Sequence, residues 1–176
     1  MKNLIPDPVE KTASSMSPRD DDLDSTHHRI HLKNILVPLD LSEMSLKSLR
    51  YAVPFAGQFG GKITLLHVLR PPVCTSDFPY PGPAGLDHLD VMERRLEETR
   101  RAEIPAEIPV DLIVRQGFAF ESIIQTAHDI HADLVIASTH GYTGLSRALI
   151  GSTAENIVRH APCPVLVVRE LETDFV

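Results

Sequence analysis

Short apolar runs alternate along the chain with longer segments in which apolar residues recur every three or four positions. The apolar runs predict buried strands at residues 34–40, 62–69, 110–116, 133–137 and 165–168. The periodic segments predict amphipathic helices over residues 42–59, 86–103, 120–130 and 153–160. Strands that alternate with helices are typical of an α/β fold. The pattern therefore predicts a single doubly wound domain, in which a parallel sheet carries helices on both faces.

Polar segments outside this pattern set the limits of the domain. Residues 1–33 are polar and irregular, which predicts a flexible extension, and residues 171–176 form a short tail. The domain is expected over residues 34–170, and a chain of 176 residues is long enough for one well-buried core. His27 and His31 have the spacing of a metal site on a helix, but the polar composition around them favours a solvated tail.

Composition and charge narrow the class of protein. Apolar residues make up 43% of the chain and charged residues 23%, as in ordinary globular proteins. The net charge of -7, with lysine and arginine scattered, argues against binding to DNA or RNA. No apolar run approaches the roughly 18 residues of a membrane span and the N-terminus lacks a secretory pattern, so we expect a cytoplasmic protein. Cys74 and Cys163 show neither metal-site nor disulfide spacing.

Glycine and hydroxyl residues after the fourth strand form a stretch that can bind an anion. Gly141 allows the backbone to approach a ligand closely, and Gly151, Ser152 and Thr153 begin a predicted helix. The unpaired N–H groups and the positive dipole end of such a helix favour a phosphate group. The alternative is structural, because Ser152 and Glu155 also form a capping box, which starts a helix without any ligand.

The position of this stretch in the predicted sheet favours the ligand. Ligands of doubly wound sheets bind beyond the carboxyl ends of the strands, where the strand order reverses. Asp40 follows the first strand and residues 138–141 follow the fourth, so they face each other across that crevice if the two strands are neighbours. An acidic residue, glycine turns and a helix N-terminus therefore converge on one edge and predict an anionic ligand there.

Three other features have structural interpretations. His67 lies inside the second strand, where a histidine is more often a hydrogen-bonded core group than a catalytic base. Residues 71–85 are rich in proline and predict a long surface loop that could act as a lid. The charged residues of segment 86–103 predict a solvated helix face.

Several motifs in order resemble the universal stress protein family. They are residues 34–40 (NILVPLD), 65–68 (LLHV), 138–141 (STHG), 151–156 (GSTAEN) and 163–168 (CPVLVV). The resemblance covers about residues 33–169. It implies a Rossmann-like, five-stranded parallel sheet of order 3-2-1-4-5, usually in a homodimer. It also implies a site for ATP, ADP or AMP, with or without Mg²⁺.

The nucleotide-binding branch of that family carries a glycine, two residues, a second glycine, nine residues, and a third glycine followed by serine or threonine. Gly141, Gly151 and Ser152 match the second and third elements, whereas Ser138 stands in place of the first glycine. Serine is small and can itself donate a hydrogen bond to a phosphate.

The resemblance also implies roles for individual residues. Asp40 would hydrogen-bond adenine or ribose, and the backbone of Val68 would contact the adenine edge. The pocket would be lined by Pro38, Leu39, Ala137 and His140, and the phosphates would be held by Gly141, Gly151, Ser152 and Thr153.

The sequence favours nucleotide binding over turnover, because it contains no P-loop lysine motif. The expected function is regulation or stress response through ATP binding, with slow or absent hydrolysis. One alternative is a nucleotide-free interaction module that dimerises through an apolar last strand at the sheet edge, formed by Val165, Leu166, Val167 and Val168. Another is a hydrolase using Ser138, His140 and Asp40, but the chain lacks a glycine-x-serine-x-glycine elbow.

Overall fold

The computed structural model of the chain describes residues 30–71, 85–139 and 151–169. Within these ranges the chain forms one parallel sheet with strands β1 Asn34–Pro38, β2 Lys62–Leu69, β3 Val110–Gln116, β4 Leu134–Ser138 and β5 Val165–Val168. Its helices are α1 Glu43–Leu46, α2 Leu49–Phe59, α3 Gly85–Glu103, α4 Ala119–Asp129 and α5 Ser152–His160. The strand order is β3-β2-β1-β4-β5, which confirms the predicted doubly wound α/β fold.

The core lies on both faces of the sheet because successive residues of a strand point to opposite sides. Ile35 and Val37 of β1 belong to one buried cluster, together with α2 and with Leu96 of α3. Leu36 belongs to a second cluster on the other face, together with α4 and with Ile157 of α5. Helices α1, α2 and α3 therefore cover one face and α4 and α5 the other, and the predicted helices on both faces are confirmed.

The segment predicted as a single helix over residues 42–59 forms two helices instead. The backbone N–H groups of Lys47 and Ser48 donate to carbonyls three residues earlier, at 3.2 and 3.1 Å. Bonds of this kind tighten the helix into a 3₁₀-like turn, so α1 and α2 are separate. Helix α2 ends at Gly60, whose φ of 61° at the C-cap lies in the left-handed region that favours glycine.

Hydrogen bonds close the amino edge of the sheet, where the strands begin. The carboxylate of Asp133, just before β4, accepts from the backbone N–H groups of Lys33 and Asn34 at 2.8 and 2.9 Å. The Asp133 N–H donates in turn to the Asn34 carbonyl at 2.8 Å, and the Lys62 N–H donates to the Lys33 carbonyl at 2.8 Å. Backbone groups at this edge are thus satisfied within the protein.

Several expectations concern segments that the structure does not describe. The extension up to residue 29, most of the proline-rich loop at residues 72–84, and the tail from residue 170 lie outside the described residues. Among the helices that are described, none is both long and apolar enough to cross a membrane.

Candidate functional site

The strands β1 and β4 separate as they approach the carboxyl edge of the sheet. Their pairing runs over two positions, the last of which is Leu36 with Val135. The strands β1 and β2, by contrast, stay paired as far as Pro38 and Leu66. The helices that follow β1 and β4 pack on opposite faces of the sheet, so among the described residues neither helix covers the space between the two strand ends. A crevice therefore opens at the predicted switch point.

A cavity of about 920 Å³ occupies this crevice. Small-molecule sites span about 300–1,000 Å³, so a ligand larger than a nucleoside can enter. Predicted site residues in its wall are Pro38, Leu39, Asp40, Val68, Ala137, Ser138, Gly151, Ser152 and Thr153. Two further predicted residues, His140 and Gly141, lie outside the described residues. The fold thus brings residues from four separate segments to one place.

A tight turn after β1 sets the position of the Asp40 carboxylate. Leu41 has a φ of 64°, in the left-handed region that leucine rarely adopts. The Asp40 carboxylate accepts from the Ser42 N–H at 3.0 Å and from the Ser42 hydroxyl at 2.5 Å. The Ser42 hydroxyl oxygen in turn caps α1 by accepting from the Ser45 N–H at 3.2 Å. Asp40 is therefore held at the cavity wall by the chain that follows it.

Helix α5 begins at the cavity with Gly151 as its N-cap. The structural alternative, a capping box from Ser152 and Glu155, is wrong, because Ser152 is already the first helical residue. The Glu155 carboxylate accepts instead from the Arg159 guanidinium, at 2.9 Å. Gly151 has no side chain that could accept hydrogen bonds from the N–H groups of the first helical turn. These N–H groups can therefore donate to other acceptors, such as a ligand. The positive end of the helix dipole lies at the same wall.

Gly151 also joins α5 to the end of β4. Its N–H donates to the Thr139 carbonyl at 2.9 Å. A Cβ atom at this position would lie 2.7 Å from the same carbonyl oxygen, which is too close for any side chain. The family resemblance gave this glycine a role in holding the phosphates, and the structure shows that two backbone segments also meet here. This contact fixes the N-terminus of α5 beside the carboxyl end of β4.

His67 of β2 is a core residue, as predicted. Its side chain is buried, and its Nδ1 lies 2.8 Å from the Leu39 carbonyl oxygen. A carbonyl can only accept, so Nδ1 carries the proton of this hydrogen bond. The backbone N–H of Leu39 donates to the Leu66 carbonyl at 2.8 Å. These two bonds tie the exit of β1 to β2, directly before Asp40.

The cavity also contains residues that the sequence reasoning did not assign to it. Arg70 directly follows β2, and Met92 and Arg95 come from α3. The argument used for Asp40 applies equally to Arg70, because both residues follow a strand at the carboxyl edge. Arg95 lies three residues after Met92, next to the apolar stripe of α3, and this spacing could have placed it near the site.

The other charges of α3 behave as predicted for a solvated face. Glu97 accepts hydrogen bonds from Arg100 at 2.7 Å and from Arg101 at 2.6 Å. These bonds, with that from Arg100 the stronger influence, lower the pKa of Glu97 to about 2. The charges of Glu97, Arg100 and Arg101 pair with one another, and none of these three residues lines the cavity.

Comparisons with known proteins support this architecture. A universal stress protein of Methanocaldococcus jannaschii is 31% identical over 144 residues, which cover 78% of this chain and 82% of the relative. The solved universal stress protein of Lactobacillus plantarum is 25% identical, with a TM-score of 0.65, over 80% of this chain and 100% of that structure. A universal stress protein from Archaeoglobus fulgidus, solved in complex with dAMP, is 20% identical, with a TM-score of 0.53, over 79% of this chain and 98% of that structure.

The family assignment rests on the extent of the match as well as on the fold. The sequence model of the universal stress protein family matches residues 31–169, which include all five strands of the sheet. The strand order and the motif order agree with that match. This chain belongs to the universal stress protein family.

Proposed function

We propose that this protein binds an adenine nucleotide, principally ATP, in a regulatory or stress-response role, with hydrolysis slow or absent. The observation that carries the proposal is the cavity, which joins the Asp40 turn, the β2 residue Val68 and the N-terminus of α5 in one site. A carboxylate suits ribose hydroxyls, backbone polar groups suit the edge of a base, and a helix N-terminus suits phosphates. The site thus offers a partner for each part of the ligand.

In the proposed complex the phosphates lie at α5, where the N–H groups and hydroxyls of Ser152 and Thr153 are donors. Gly141 and Ser138 would complete this phosphate region, and Mg²⁺ could enter with the triphosphate. The ribose or the adenine would be bound by Asp40, with the base edge against the Val68 backbone. Apolar contacts to the ligand would come from Pro38, Leu39 and Ala137, together with His140.

The Archaeoglobus fulgidus protein that was solved with dAMP supports an adenine nucleotide as the class of ligand. Its likeness to this chain, at 20% identity, is a likeness of fold. The assignment of the ligand therefore depends on the chain's own cavity residues. The sequence has no P-loop lysine motif to stabilise a transferring phosphoryl group, so we assign binding and not rapid turnover.

Nucleotide analysis of the purified protein tests this proposal. The protein is denatured and its supernatant is separated by chromatography, and the ligand-free protein is then titrated with ATP and Mg²⁺. We expect co-purified adenine nucleotide or saturable binding of ATP. The absence of bound nucleotide together with no binding at millimolar ATP would refute the proposal.

We also propose that β5 mediates a homodimer. This strand lies at the edge of the sheet and pairs with β4 on one side. Val165, Leu166 and Val167 are half-buried, so apolar surface remains beside the edge. A second copy related by a two-fold axis would cover both the apolar side chains and the unpaired backbone groups. Light scattering should give twice the chain mass at micromolar concentration, and a monomer there would contradict the dimer.

The alternative of a nucleotide-free interaction module shares this dimer, so the oligomeric state does not distinguish the two hypotheses. The alternative predicts a dimer whose cavity never contains nucleotide, and the titration described above separates the two. The cytoplasmic location stays a prediction from the sequence. Fractionation of cells that express the full chain would test it.

A further inference from the structure

Two arginines on the β2 side of the cavity have no part in the proposed function. Arg70 follows β2 and Arg95 lies on α3, and both exposed side chains line the cavity. The proposed phosphate contacts lie on the other side, at Ser152 and Thr153 of α5. The cavity therefore has two sides that attract anions, one formed by a helix N-terminus and the other by two guanidinium groups.

These two arginines differ from most others in the described part of the chain. Carboxylates hold the guanidinium groups of Arg100, Arg101, Arg115 and Arg159. For Arg70 and Arg95, no side-chain hydrogen bond or ion pair is formed with any described residue. A guanidinium has five N–H donors and always carries its charge. The donors of this pair are therefore available to a ligand in the cavity.

The order of the strands sets the separation of the two sides. The strands lie in the order β2-β1-β4, and neighbouring strands are about 4.8 Å apart. The exit of β2 at Arg70 is therefore roughly 10 Å from the exit of β4, beside which α5 begins. Asp40, at the exit of β1, lies between the two. A ribose bound at Asp40 would have its 5′-phosphate towards α5. The base, against Val68, and the 2′ and 3′ oxygens would then lie on the β2 side, where the arginines are.

We propose that Arg70 and Arg95 bind a second phosphate group, carried on the 2′ or 3′ oxygen of the ribose. The site would then select adenine nucleotides that are phosphorylated on both sides of the sugar. This inference rests on the proposed nucleotide function and names the ligand class more closely. Guanidinium groups recognise phosphate through paired N–H donors, while the helix N-terminus serves the 5′ group. A 5′-monophosphate can occupy only one of the two sides.

Calorimetric titration with 5′-AMP, adenosine 2′,5′-bisphosphate and adenosine 3′,5′-bisphosphate tests the proposal. At low ionic strength we expect at least one bisphosphate to bind about tenfold more tightly than 5′-AMP, equivalent to about 1.4 kcal/mol. The advantage should shrink with added salt, because exposed charges are screened. The double variant R70Q/R95Q should lose the advantage and keep its affinity for 5′-AMP within about twofold, since the 5′-phosphate side is unchanged.

Arg94→Gln is the matched control. Arg94 precedes Arg95 on α3, but its Nε donates to the Asp90 carbonyl at 3.2 Å and its side chain is not part of the cavity wall. This variant should retain the full preference for the bisphosphate. Circular dichroism confirms that each variant is folded before titration.

The outcomes separate this inference from the proposed function. If 5′-AMP binds but neither bisphosphate binds more tightly, the second phosphate site is refuted and the nucleotide function stands. Retention of the preference in R70Q/R95Q would also refute it, because another group must then supply the affinity. If neither ATP, 5′-AMP nor the bisphosphates bind, both proposals fail together.

Discussion

Asp133 and Asp40 stand at opposite edges of the same sheet, and each carboxylate accepts hydrogen bonds from backbone N–H groups. Asp133 bonds to Lys33 and Asn34, which are about 100 residues away in the chain, and so fastens β4 to β1. Asp40 bonds to Ser42, two residues along, and its side chain lines the cavity. The long-range bonds close the amino edge, whereas the local bonds position a polar group and leave the carboxyl edge open.

The two edges should therefore respond differently to mutation. Changes at the amino edge should lower the free energy of unfolding with little effect on ligand binding. Changes to polar side chains at the carboxyl edge should lower affinity with little effect on stability. The exception is Gly151, where backbone packing and the proposed phosphate site coincide.

Gly151→Ala is expected to have the largest effect. The added Cβ would lie 2.7 Å from the Thr139 carbonyl oxygen, so the backbone must move. Overpacking of this kind costs about 3 kcal/mol at the upper end of its usual range. Urea unfolding should show this loss, and calorimetry should show at least tenfold weaker ATP binding because α5 is displaced.

Gly57→Ala is the control for a glycine substitution without a clash. A Cβ at Gly57, inside α2, would have no neighbour within 4 Å. Alanine is a better helix former than glycine, so this variant should gain roughly 0.5–1 kcal/mol. Equal stability of Gly151→Ala and the wild type would show that the α5 junction tolerates a shift.

Asp133→Ala should cost less, about 2 kcal/mol of unfolding free energy. The substitution removes the acceptor for the N–H groups of Lys33 and Asn34, and bonds to a charged group are worth about 1.5–3 kcal/mol each when buried. Because the bond to the exposed Lys33 contributes little, the loss of about 2 kcal/mol comes mainly from the half-buried bond to Asn34. Urea unfolding measures the loss, and ATP affinity should stay unchanged.

Asp129→Ala is the matched comparison for that variant. Asp129 pairs with Arg115 at 2.6 Å on the surface, where ion pairs contribute about 0–1 kcal/mol. If Asp133→Ala were no more destabilising than Asp129→Ala, the amino edge would not depend on its long-range bonds.

Asp40→Asn should weaken nucleotide binding about tenfold, or about 1.4 kcal/mol, with almost no change in stability. Asparagine keeps an oxygen that can accept from Ser42, but it loses the charge that strengthens hydrogen bonds to ribose hydroxyls. Calorimetry with ATP gives the affinity, and urea unfolding gives the stability. Asp111→Asn, at the amino end of β3, is the control and should leave affinity unchanged. An Asp40→Asn variant that binds ATP normally would remove Asp40 from the site.

Glu97→Gln, on the solvated face of α3, should have the smallest effect on the free energy of unfolding, and this effect should depend on pH. The folded pKa of Glu97, about 2, is below its ordinary value of 4.5. The carboxylate therefore contributes stability that is full above the unfolded pKa and is lost as pH falls towards 2. The urea midpoints of wild type and variant should differ slightly at pH 7 and converge between pH 4.5 and pH 2.

The arginine partners provide the check on this last prediction. In the background R100Q/R101Q, the Glu97→Gln substitution should change neither the midpoint nor its pH dependence. A pH-dependent difference that persisted there would assign the effect to another group.

The strands could be predicted because they depend on short-range pattern, whereas their order was implied by the family resemblance. The apolar run at residues 62–69 coincides with β2, because a strand that is buried on both faces must consist mainly of apolar residues. The break between α1 and α2 could not be predicted in the same way. It depends on backbone bonds at Lys47 and Ser48 in a segment whose apolar spacing continues without interruption.

Asp40 and Ser138 could be assigned to the candidate site from the sequence because they lie at the carboxyl ends of predicted strands, followed by glycine or turn residues. Arg70 has a similar position, after β2, but was not assigned. Arg95 was harder to find because its position depends on how α3 packs against β2 and β3, which the sequence pattern does not fix. The capping-box alternative for α5 could not be dismissed from the sequence, because Ser152 and Glu155 have suitable local chemistry. The contact between Gly151 and Thr139 decides the matter, and it joins residues on either side of a segment outside the described ranges.

The left-handed turn at Leu41 has a consequence for the entropy of binding. A non-glycine residue in this region costs about 1–2 kcal/mol in the folded state. Leucine also has fewer accessible backbone conformations than glycine, so the turn that carries Asp40 samples a narrower range before any ligand arrives. Less ordering would then remain for the proposed ribose contact, which would raise affinity without an added contact. The strain at one residue would thus lower the stability of the fold while it preorganises the proposed site.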